Sequence, residues 1–384
     1  MKIVHICLAC FYIEGYGYQE NILPQFHKDM GNDVTIITTE FEYDRKNQKK
    51  LRTSLDYIND YGIRVRTVKQ SKRYCYYSKF GDFPMLYTLL HEEKPNIIFV
   101  HGGQFISLKY VIKYCKRNKH VRFFIDQHGD YYNMNIKNIK NKIIQYFIYG
   151  RYMRKAVKYV DKFWGVTPWR SQYLHDVYKI PENKIGLLVM GGDDRYIDFE
   201  NKENIRNSIR SKYNIDTESF LIVTGGKIEK EKNIHFLIQA FLESNITNIK
   251  LMVFGKVEES FKEIMDPLLK KTGIISVGWI ASNEVYKYFL SADLGVFPGT
   301  HSVLWEQACS TGLPCIFKYW EGMTHVNVCK NVEFLYNDSV DEIKNKIIDL
   351  YNSKGKYEIL KKNAKIAAKS FLYSEIAKKS IDVN

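Results

Sequence analysis

Residues 220–243 read FLIVTGGKIEKEKNIHFLIQAFLE, which is a short apolar run, a glycine pair and an amphipathic segment of helical length. The run Phe220–Thr224 predicts a buried strand, and the apolar spacing that follows predicts a helix over 233–243. Gly225 and Gly226 between them permit a tight turn in which the backbone can be approached closely. This order of strand, turn and helix is typical of parallel α/β folds, which bind ligands at the carboxyl ends of their strands.

Short apolar runs and amphipathic segments alternate in the same way along the whole chain. The predicted strands are Lys2–Leu8, Val34–Thr39, Ile63–Val68, Asn96–His101, Arg122–Asp126, Lys162–Val166, Ile185–Met190, Phe220–Thr224, Lys250–Phe254, Ile274–Val277, Leu294–Phe297 and Pro314–Phe317. The predicted helices are Gln19–Met30, Pro84–Glu92, Ile106–Arg117, Ile136–Tyr159, Asn233–Glu243, Ser260–Lys270, Glu284–Ser291 and Val303–Thr311. We therefore predict an α/β protein with two doubly wound domains, residues 1–188 and 189–370.

The composition narrows the class of protein. The 384-residue chain is 45% hydrophobic and 26% charged, which suits a globular protein with two cores. Its apolar runs have strand length, whereas a membrane-spanning helix requires about 20 residues, so we expect no membrane span. Met1-Lys2-Ile3 leads directly into a strand-like segment without the long apolar region of a signal peptide, so we do not expect secretion. Seven scattered cysteines predict reduced thiols and a cytoplasmic location. The net charge of +14 indicates an acidic partner, and the absence of a nucleic-acid-binding motif argues against DNA or RNA.

Two lysines flank the start of the helix that follows the glycine pair. Glycine turns bring backbone N–H groups close to an anion, and Lys227 and Lys232 add positive charge there. Together with Gly225 and Gly226 they predict a diphosphate site. The alternative is an ordinary loop between a strand and a helix whose lysines are solvated.

A second segment of the same kind carries small residues and a carboxylate. The N–H groups of Gly299, Thr300, Ser302 and Val303 are candidates for binding phosphate oxygens. Glu306, one turn into the helix, is a candidate for accepting hydrogen bonds from ribose hydroxyls. The alternative role for this glutamate is a favourable interaction with the helix dipole.

A third loop, Gly278-Trp279-Ile280, suits backbone contacts to the edge of a nucleotide base. In this order the segments resemble the C-terminal half of the retaining GT-B glycosyltransferases of family 4. The counterparts of the family's motifs are Gly226-Lys227…Lys232, Gly278-Trp279-Ile280, Pro298-Gly299…Glu306-Gln307-Ala308, Gly312-Leu313-Pro314 and the interdomain Met190-Gly191-Gly192-Asp193. Residues 371–384 resemble the family's closing helix, which completes the N-terminal domain.

The resemblance implies a GT-B fold, in which two Rossmann-like domains face each other across a cleft. Two departures from the family pattern bear on the site. Lys227 replaces the usual arginine and lacks its planar fork. Pro298 stands where the family has the first glutamate of a Glu-x7-Glu pair, which contacts the donor sugar. His301, which can both donate and accept hydrogen bonds, is the candidate replacement, with Thr300 as the alternative.

In the N-terminal half, the candidate acceptor-side residues and one candidate catalytic histidine follow three predicted strands. Gly15, Gly17 and Gln19 follow the first strand, where the family has a glycine-rich loop on the acceptor side. His101 ends the fourth strand and is expected to line the acceptor pocket. His128 follows the fifth strand, where the family often carries an active-site histidine, and the alternative is a histidine that only satisfies a turn.

The resemblance implies transfer of a hexose-type sugar from a nucleotide diphosphate donor, with UDP favoured, to a hydroxyl acceptor with retention of configuration. It implies no cofactor beyond this co-substrate and no bound metal. The expected catalytic residues are His128, Lys227, Lys232 and His301. Two alternatives are a nucleotide-sugar epimerase on the same fold and a catalytically silent subunit that supports a partner enzyme.

Lysines and arginines crowd residues 137–162, where Asp161 alone opposes them and isoleucines recur at helical spacing. One interpretation is a solvated amphipathic helix packed on the sheet. The other is an anionic-membrane contact on the N-terminal domain, which would place the enzyme at the inner face of the cell membrane, near a lipid-linked or surface-glycan acceptor.

Overall fold

The computed structural model describes residues 1–10, 12–43, 49–71 and 80–382. Internal contacts divide the chain into two compact units, Met1–Val189 with Ile376–Asn384, and Met190–Glu375. The six cysteines within the described residues are free thiols, and Cys75 lies outside them. None of the described helices combines the length and the apolar character that crossing a bilayer requires.

The first unit is built on a largely parallel sheet. Its strands are β1 (Lys2–Cys7), β2 (Asp33–Thr39), β3 (Phe41–Tyr43), β4 (Lys49–Leu51), β5 (Asp56–Ile58), β6 (Arg64–Val68), β7 (Ile97–His101), β8 (Arg122–Gln127), β9 (Lys162–Gly165) and β10 (Ile185–Leu187). Eight of them form one sheet in the order β10-β9-β8-β7-β1-β2-β6-β5, in which only β5 runs antiparallel to its neighbour. The central strands β1, β7 and β8 are almost entirely buried and mostly apolar, because helices cover both faces of such a sheet.

The helices of the first unit connect these strands. Those described are α1 (Gln19–Asp29), α2 (Leu86–Glu93), α3 (Leu108–Arg117), α4 (Ile139–Ile143), α5 (Gly150–Ala156) and α6 (Pro168–Asp176). The prediction of one continuous helix over Ile136–Tyr159 is wrong, because a π-helical segment, Ile144–Tyr149, separates α4 from α5. The strand predicted over Ile185–Met190 is also shorter, since it ends at Leu187, ahead of the glycine pair.

The π-helical segment has a physical cause in the distribution of apolar side chains. Ile144 and Ile148 pack against the core of the first unit, whereas Ile139, Ile143 and Phe147 are 75%, 50% and 62% exposed. A regular helix cannot bury all of these positions on one face, and the wider turn of a π-helix shifts the angular position of the residues that follow. The region formed by α4 and the π-helical segment therefore has one apolar face packed on the core and another exposed to solvent.

The second unit is built on a six-stranded parallel sheet. Its strands are β11 (Phe220–Gly225), β12 (Ile249–Phe254), β13 (Ile274–Gly278), β14 (Leu294–Phe297), β15 (Cys315–Lys318) and β16 (Val332–Leu335). Their order is β13-β12-β11-β14-β15-β16. Strands β11 and β14 are neighbours although two strands separate them in sequence, so the order reverses between them. The loops that follow β11 and β14 therefore meet at the carboxyl edge, where ligands bind in such sheets.

The helices of the second unit cover both faces of this sheet. Those described are α7 (Lys202–Lys212), α8 (Ile234–Glu243), α9 (Lys262–Leu269), α10 (Val285–Ser291), α11 (Leu304–Ser310), α12 (Val340–Asn352) and α13 (Lys354–Ala367). A last helix, α14 (Tyr373–Ile381), begins in the second unit and ends in the first. The predicted α/β fold with two doubly wound units is confirmed.

Candidate functional site

The loops after β11 and β14 pack against each other at the carboxyl edge of the second sheet. The Thr300 N–H donates to the Glu231 carbonyl oxygen over 3.0 Å. A Cβ atom on Gly299 would lie 2.3 Å from both the Lys232 Cα atom and that same carbonyl oxygen. Glycine is therefore required at position 299 for the two loops to approach this closely. The structure thus brings together the two segments that the sequence marks as a phosphate site.

The Lys232 side chain extends from the loop after β11 and forms hydrogen bonds with the loop after β14. Its ammonium group donates to the carbonyl oxygens of Thr300 (2.9 Å) and His301 (3.4 Å). The side chain is half-buried, and burial lowers the pKa of its ammonium group from the ordinary value. A cation that is partly desolvated and fixed by two carbonyl groups is preorganised for an anionic ligand.

The N–H groups of the β14 loop differ in their availability. The Thr300 N–H is used in the bond to Glu231, so the prediction that it binds phosphate requires that bond to open. The N–H groups of Gly299, Ser302 and Val303 make no hydrogen bond within the described residues. Three donors of this loop are therefore free to bind oxygen atoms of a ligand.

Lys227 is placed differently from the sequence-based expectation of a free phosphate ligand. Its ammonium group lies 2.6 Å from a carboxylate oxygen of Glu229 and 3.0 Å from one of Glu258. These hydrogen bonds raise the pKa of the Lys227 ammonium group. The side chain is 60% exposed, so the ion pairs are weak and can exchange for another anion. Its role at a diphosphate stays a prediction.

Near Lys227, the ends of β11 and β12 approach each other closely, and glycines make this approach possible. A Cβ atom on Gly225 would lie 2.4 Å from the Phe254 ring, and one on Gly255 would lie 1.8 Å from the Gly226 carbonyl oxygen. The Gly226 N–H donates to the Phe254 carbonyl oxygen over 3.1 Å and is not free for phosphate in this structure. Gly278, at φ +79°, accepts from the Gly255 N–H over 2.7 Å.

The third predicted loop thus joins the other two at the same edge. Gly278 ends β13 and is tied to the backbone beside Gly226 through that hydrogen bond. Trp279 and Ile280 follow it at the surface, and the Trp279 side chain is 75% exposed. An exposed indole at this edge is available for stacking on a planar ligand.

A buried carboxylate lies beneath the β14 loop. Glu306 is fully buried, and its Oε1 atom accepts from His301 Nε2 and from His325 Nε2, each over 2.8 Å. Burial opposes ionisation of Glu306, but His301 and His325 hold the pKa of the carboxyl well below its usual range. The other oxygen, Oε2, is buried without a partner within the described residues. His325, which lies in a short turn over Thr324–Val326, belongs to no motif that could have identified it from sequence.

The first unit carries a second polar cluster, where β1, β7 and β8 lie side by side. Asp126, at the end of β8, is fully buried. Its Oδ2 atom accepts from His101 Nδ1 over 2.7 Å and from Gln19 Nε2 over 3.4 Å. Its Oδ1 atom accepts from the Gly102 N–H over 3.1 Å. His128 Nε2 lies 3.3 Å from Oδ2 but does not meet hydrogen-bond geometry.

Two further histidines extend this cluster into the unit. His5 Nδ1 lies 3.0 Å from His101 Nε2, and His5 Nε2 lies 2.9 Å from His27 Nδ1. His27 Nε2 lies 3.1 Å from the Ala377 carbonyl oxygen and 2.9 Å from Ser380 Oγ. Sequence reasoning did not identify His5 and His27. His5 lies between Val4 and Ile6 in an otherwise apolar strand, and a buried polar group needs a hydrogen-bond partner. This position could have indicated from sequence that a polar cluster is buried here.

The structure therefore brings two residues of the predicted acceptor-side set together with His128, which the sequence analysis predicts to be catalytic. Gln19, His101 and His128 all approach Asp126. Gly15 is exposed at φ +75°, and within the described residues no atom lies within 4 Å of where its Cβ would be. Gly17 is half-buried in the same loop.

Two sets of side chains have the composition of a metal site. Within the described residues, the possible ligand atoms of each set lie within 4.8 Å of one another, and the sets are His101, Asp126, His128 and His301, Glu306, His325. In the first set, Asp126 Oδ2 accepts from the His101 imidazole, and in the second, Glu306 Oε1 accepts from both imidazoles. We assign no metal to either set.

Both the sequence and the fold of this chain are similar to those of known proteins. Residues 20–192 match the model of Glycosyltransferase Family 4, and residues 205–367 match that of Glycosyl transferases group 1. Anabaena HepE, solved in complex with UDP, superposes with a TM-score of 0.71 at 13% identity, over 99% of this chain and 98% of that one. The chain belongs to the glycosyltransferases of the GT-B fold.

Two curated relatives match parts of the chain. An uncharacterized glycosyltransferase from Methanocaldococcus jannaschii is 21% identical over 219 residues, which are 54% of this chain and 55% of that protein. The capsular polysaccharide biosynthesis glycosyltransferase CapM from Staphylococcus aureus is 39% identical over 80 residues, 20% of this chain and 21% of that protein. The matches thus span about half of the first relative and a fifth of the second.

Proposed function

We propose that the protein transfers a hexose-type sugar from a nucleotide diphosphate donor, with UDP favoured, to a hydroxyl acceptor, with retention of anomeric configuration. Uridine is favoured because the similar protein HepE has been solved with UDP bound. A surface-glycan intermediate is favoured as acceptor because CapM, which matches over 80 residues, is named for capsular polysaccharide biosynthesis.

The observation that carries this proposal is the preorganised loop after β14. Gly299 packs on the backbone of Lys232, whose ammonium group holds the loop through Thr300. The loop leaves the N–H groups of Ser302 and Val303 free beside that cation. Such an arrangement suits the diphosphate, which gains negative charge when its bond to the anomeric carbon breaks.

The proposed roles of the other site residues follow from where they lie in each unit. On the second unit, the exposed Trp279 indole is proposed to contact the base, and Glu306 and His301 are proposed to contact the ribose and the donor sugar. On the first unit, His128 is proposed to position the sugar. Gln19 and His101, which are buried, are proposed to support the acceptor side through Asp126. We assign no nucleophile and no metal, since the proposed leaving-group charge is met by Lys232 and N–H donors.

The proposed activity is tested by incubating the full chain with UDP-glucose, UDP-galactose and UDP-N-acetylglucosamine, without acceptor. Slow release of UDP is expected with at least one donor, at the same rate with and without EDTA. Appearance of a different nucleotide sugar would instead identify an epimerase, and neither product together with UDP binding would identify a silent subunit. The anomer released or transferred, read by proton NMR, tests retention.

The exposed part of the π-helical segment and α4 supports a membrane-side location. The apolar stripe Ile139, Ile143 and Phe147 faces solvent beside the exposed Lys140 and Lys142. Apolar side chains flanked by lysines are the pattern of a surface that lies in the headgroup region of an anionic leaflet. We propose that this face holds the first unit on the inner face of the cell membrane, near a lipid-linked acceptor.

Vesicle flotation tests this face. At low salt, wild-type protein should float with vesicles containing anionic phosphatidylglycerol and remain behind with neutral phosphatidylcholine vesicles. Each lysine near an anionic surface contributes about 1 kcal/mol, so Lys137→Glu, Lys140→Glu and Lys142→Glu together should abolish flotation. The matched control reverses the same number of exposed charges on the second unit, at Lys270, Lys271 and Lys362. Equal flotation with both vesicle types, or equal loss in the control, would contradict the proposal.

A further inference from the structure

The buried histidines of the first unit form a row whose two ends determine where the hydrogens lie. At one end the Ala377 carbonyl oxygen can only accept, so His27 Nε2 carries a hydrogen. Burial lowers the pKa of His27 to about 4, so this ring is neutral and its Nδ1 atom has a lone pair. His5 Nε2 must then donate to His27 Nδ1.

The same reasoning continues to the other end of the row. Burial, with His27 and His101 nearby, lowers the pKa of His5 well below its ordinary value, so His5 is also neutral and its Nδ1 atom accepts. His101 Nε2 therefore donates to His5. Since His101 Nδ1 faces the Asp126 carboxylate over 2.7 Å, His101 carries a hydrogen on both nitrogens and is an imidazolium ion.

The charge on His101 fixes the state of Asp126. Burial alone opposes protonation of His101, but the Asp126 carboxylate raises the pKa of the ring to about 9. Burial also opposes ionisation of Asp126, and His101 and His128 hold the pKa of that carboxyl well below its usual range. Asp126 is thus a buried anion, fixed by a buried cation on one side and by the Gly102 N–H on the other.

His128 lies against this anion at the surface of the unit. Its Nε2 atom is buried 3.3 Å from Asp126 Oδ2, while the side chain as a whole is 29% exposed. An ionised carboxylate cannot donate, so it favours the tautomer of His128 that has its hydrogen on Nε2. In that tautomer the lone pair is on Nδ1, and among the hydrogen bonds of the described residues none reaches this atom.

We propose that Asp126 is a positioning residue, held ionised by the histidine row, that keeps His128 in the Nε2–H tautomer so that His128 Nδ1 accepts a hydrogen bond from a substrate hydroxyl. The tautomer rests on the 3.3 Å approach of Asp126 Oδ2 to His128 Nε2, an electrostatic interaction that does not meet hydrogen-bond geometry in this structure. The hydroxyl rests on the proposed transferase function. No proton leaves the row in this arrangement, and the row serves to fix one charge and one ring orientation.

The tautomers are read without any substrate, by two-bond proton–nitrogen NMR of the full chain labelled with ¹⁵N-histidine. At pH 7 we expect both nitrogens of His101 to be protonated, and His5, His27 and His128 to be Nε2–H tautomers. In Asp126→Asn, His101 should become neutral and His128 should populate both tautomers. Asp176→Asn, which removes an exposed carboxylate of the same unit, should change neither. An Nδ1–H tautomer of His128 in the wild type would overturn the proposal.

Two amide replacements of His128 then test which nitrogen serves the substrate. The amide of asparagine lies near the position of Nδ1, and that of glutamine near the position of Nε2. We expect His128→Asn to retain at least tenfold more kcat than His128→Gln, and Asp126→Asn to lower kcat with little change in the KM of the donor. Greater activity of His128→Gln would overturn the assignment of Nδ1. If no donor is consumed by the wild type, the proposed function fails, and the NMR result still decides the tautomer.

Discussion

Replacement of Lys232 by methionine should lower the kcat/KM of sugar transfer by about 10²–10³-fold, which is the usual effect of removing one preorganised electrostatic group. The methionine side chain keeps the apolar stem that packs in this half-buried position, so the change removes mainly the charge. The same variant should bind UDP more weakly in calorimetry and bind uridine as the wild type does, because uridine lacks the diphosphate.

Lys230→Met provides the matched control, since Lys230 is exposed two residues earlier in the same turn. It should retain nearly full activity. If uridine binding falls as far as UDP binding in Lys232→Met, this lysine only holds the loop through Thr300 and His301. Equal loss of activity in both variants would place the diphosphate elsewhere.

Replacement of Glu306 by glutamine should weaken UDP binding by about tenfold to a hundredfold, because a hydrogen bond to a charged group contributes about 1.5–3 kcal/mol. Among the residues that the structure describes, the carboxylate oxygen Oε2 has no partner, and it is the proposed acceptor for a ribose hydroxyl. It is buried beneath the loop that carries His301, so binding of ribose requires a local shift of that loop. The melting temperature should also fall, because His301 and His325 lose their shared anion.

A comparison of UDP with 2′-deoxy-UDP separates contact with the ribose from support of the loop. Wild-type protein should prefer UDP, and Glu306→Gln should lose most of that preference. Glu321→Gln, at an exposed position before His325, is the control and should keep the preference. If Glu306→Gln weakens both nucleotides equally, the glutamate acts only through the two histidines, and the ribose assignment is wrong.

The fold was predictable because its strands are buried on both faces. The run Ile97–His101 is entirely buried, as is Leu294–Phe297, and such runs have no reason to be apolar unless helices cover both sides. The broken helix was not predictable in the same way. Its isoleucines suit one amphipathic helix in sequence, and only the packing shows that Ile144 faces the core while Ile143 faces solvent.

The candidate site was predictable at the level of backbone segments and less so for side chains. The small residues around Gly299 mark a close approach that any folded form of this loop must satisfy. The partners of charged groups depend on residues that are distant in sequence. Glu258 beside Lys227 and His325 beside Glu306 come from separate loops, and no local spacing announces either pair. Buried polar residues inside apolar strands, such as His5, are the signal that sequence reasoning can use.

The last helix has a consequence for the order in which the chain is made. His27 Nε2 and the Trp164 indole N–H bond to residues of α14, namely Ala377 and Ser380. These residues follow the entire second unit, which is continuous in sequence over Met190–Glu375. On the ribosome the second unit can therefore fold to completion first, although domains usually fold in the order in which they are synthesised. The first unit can form these hydrogen bonds only after Ala377 and Ser380 have been synthesised. In a chain that ends before them, the buried His27 Nε2 would lack these acceptors.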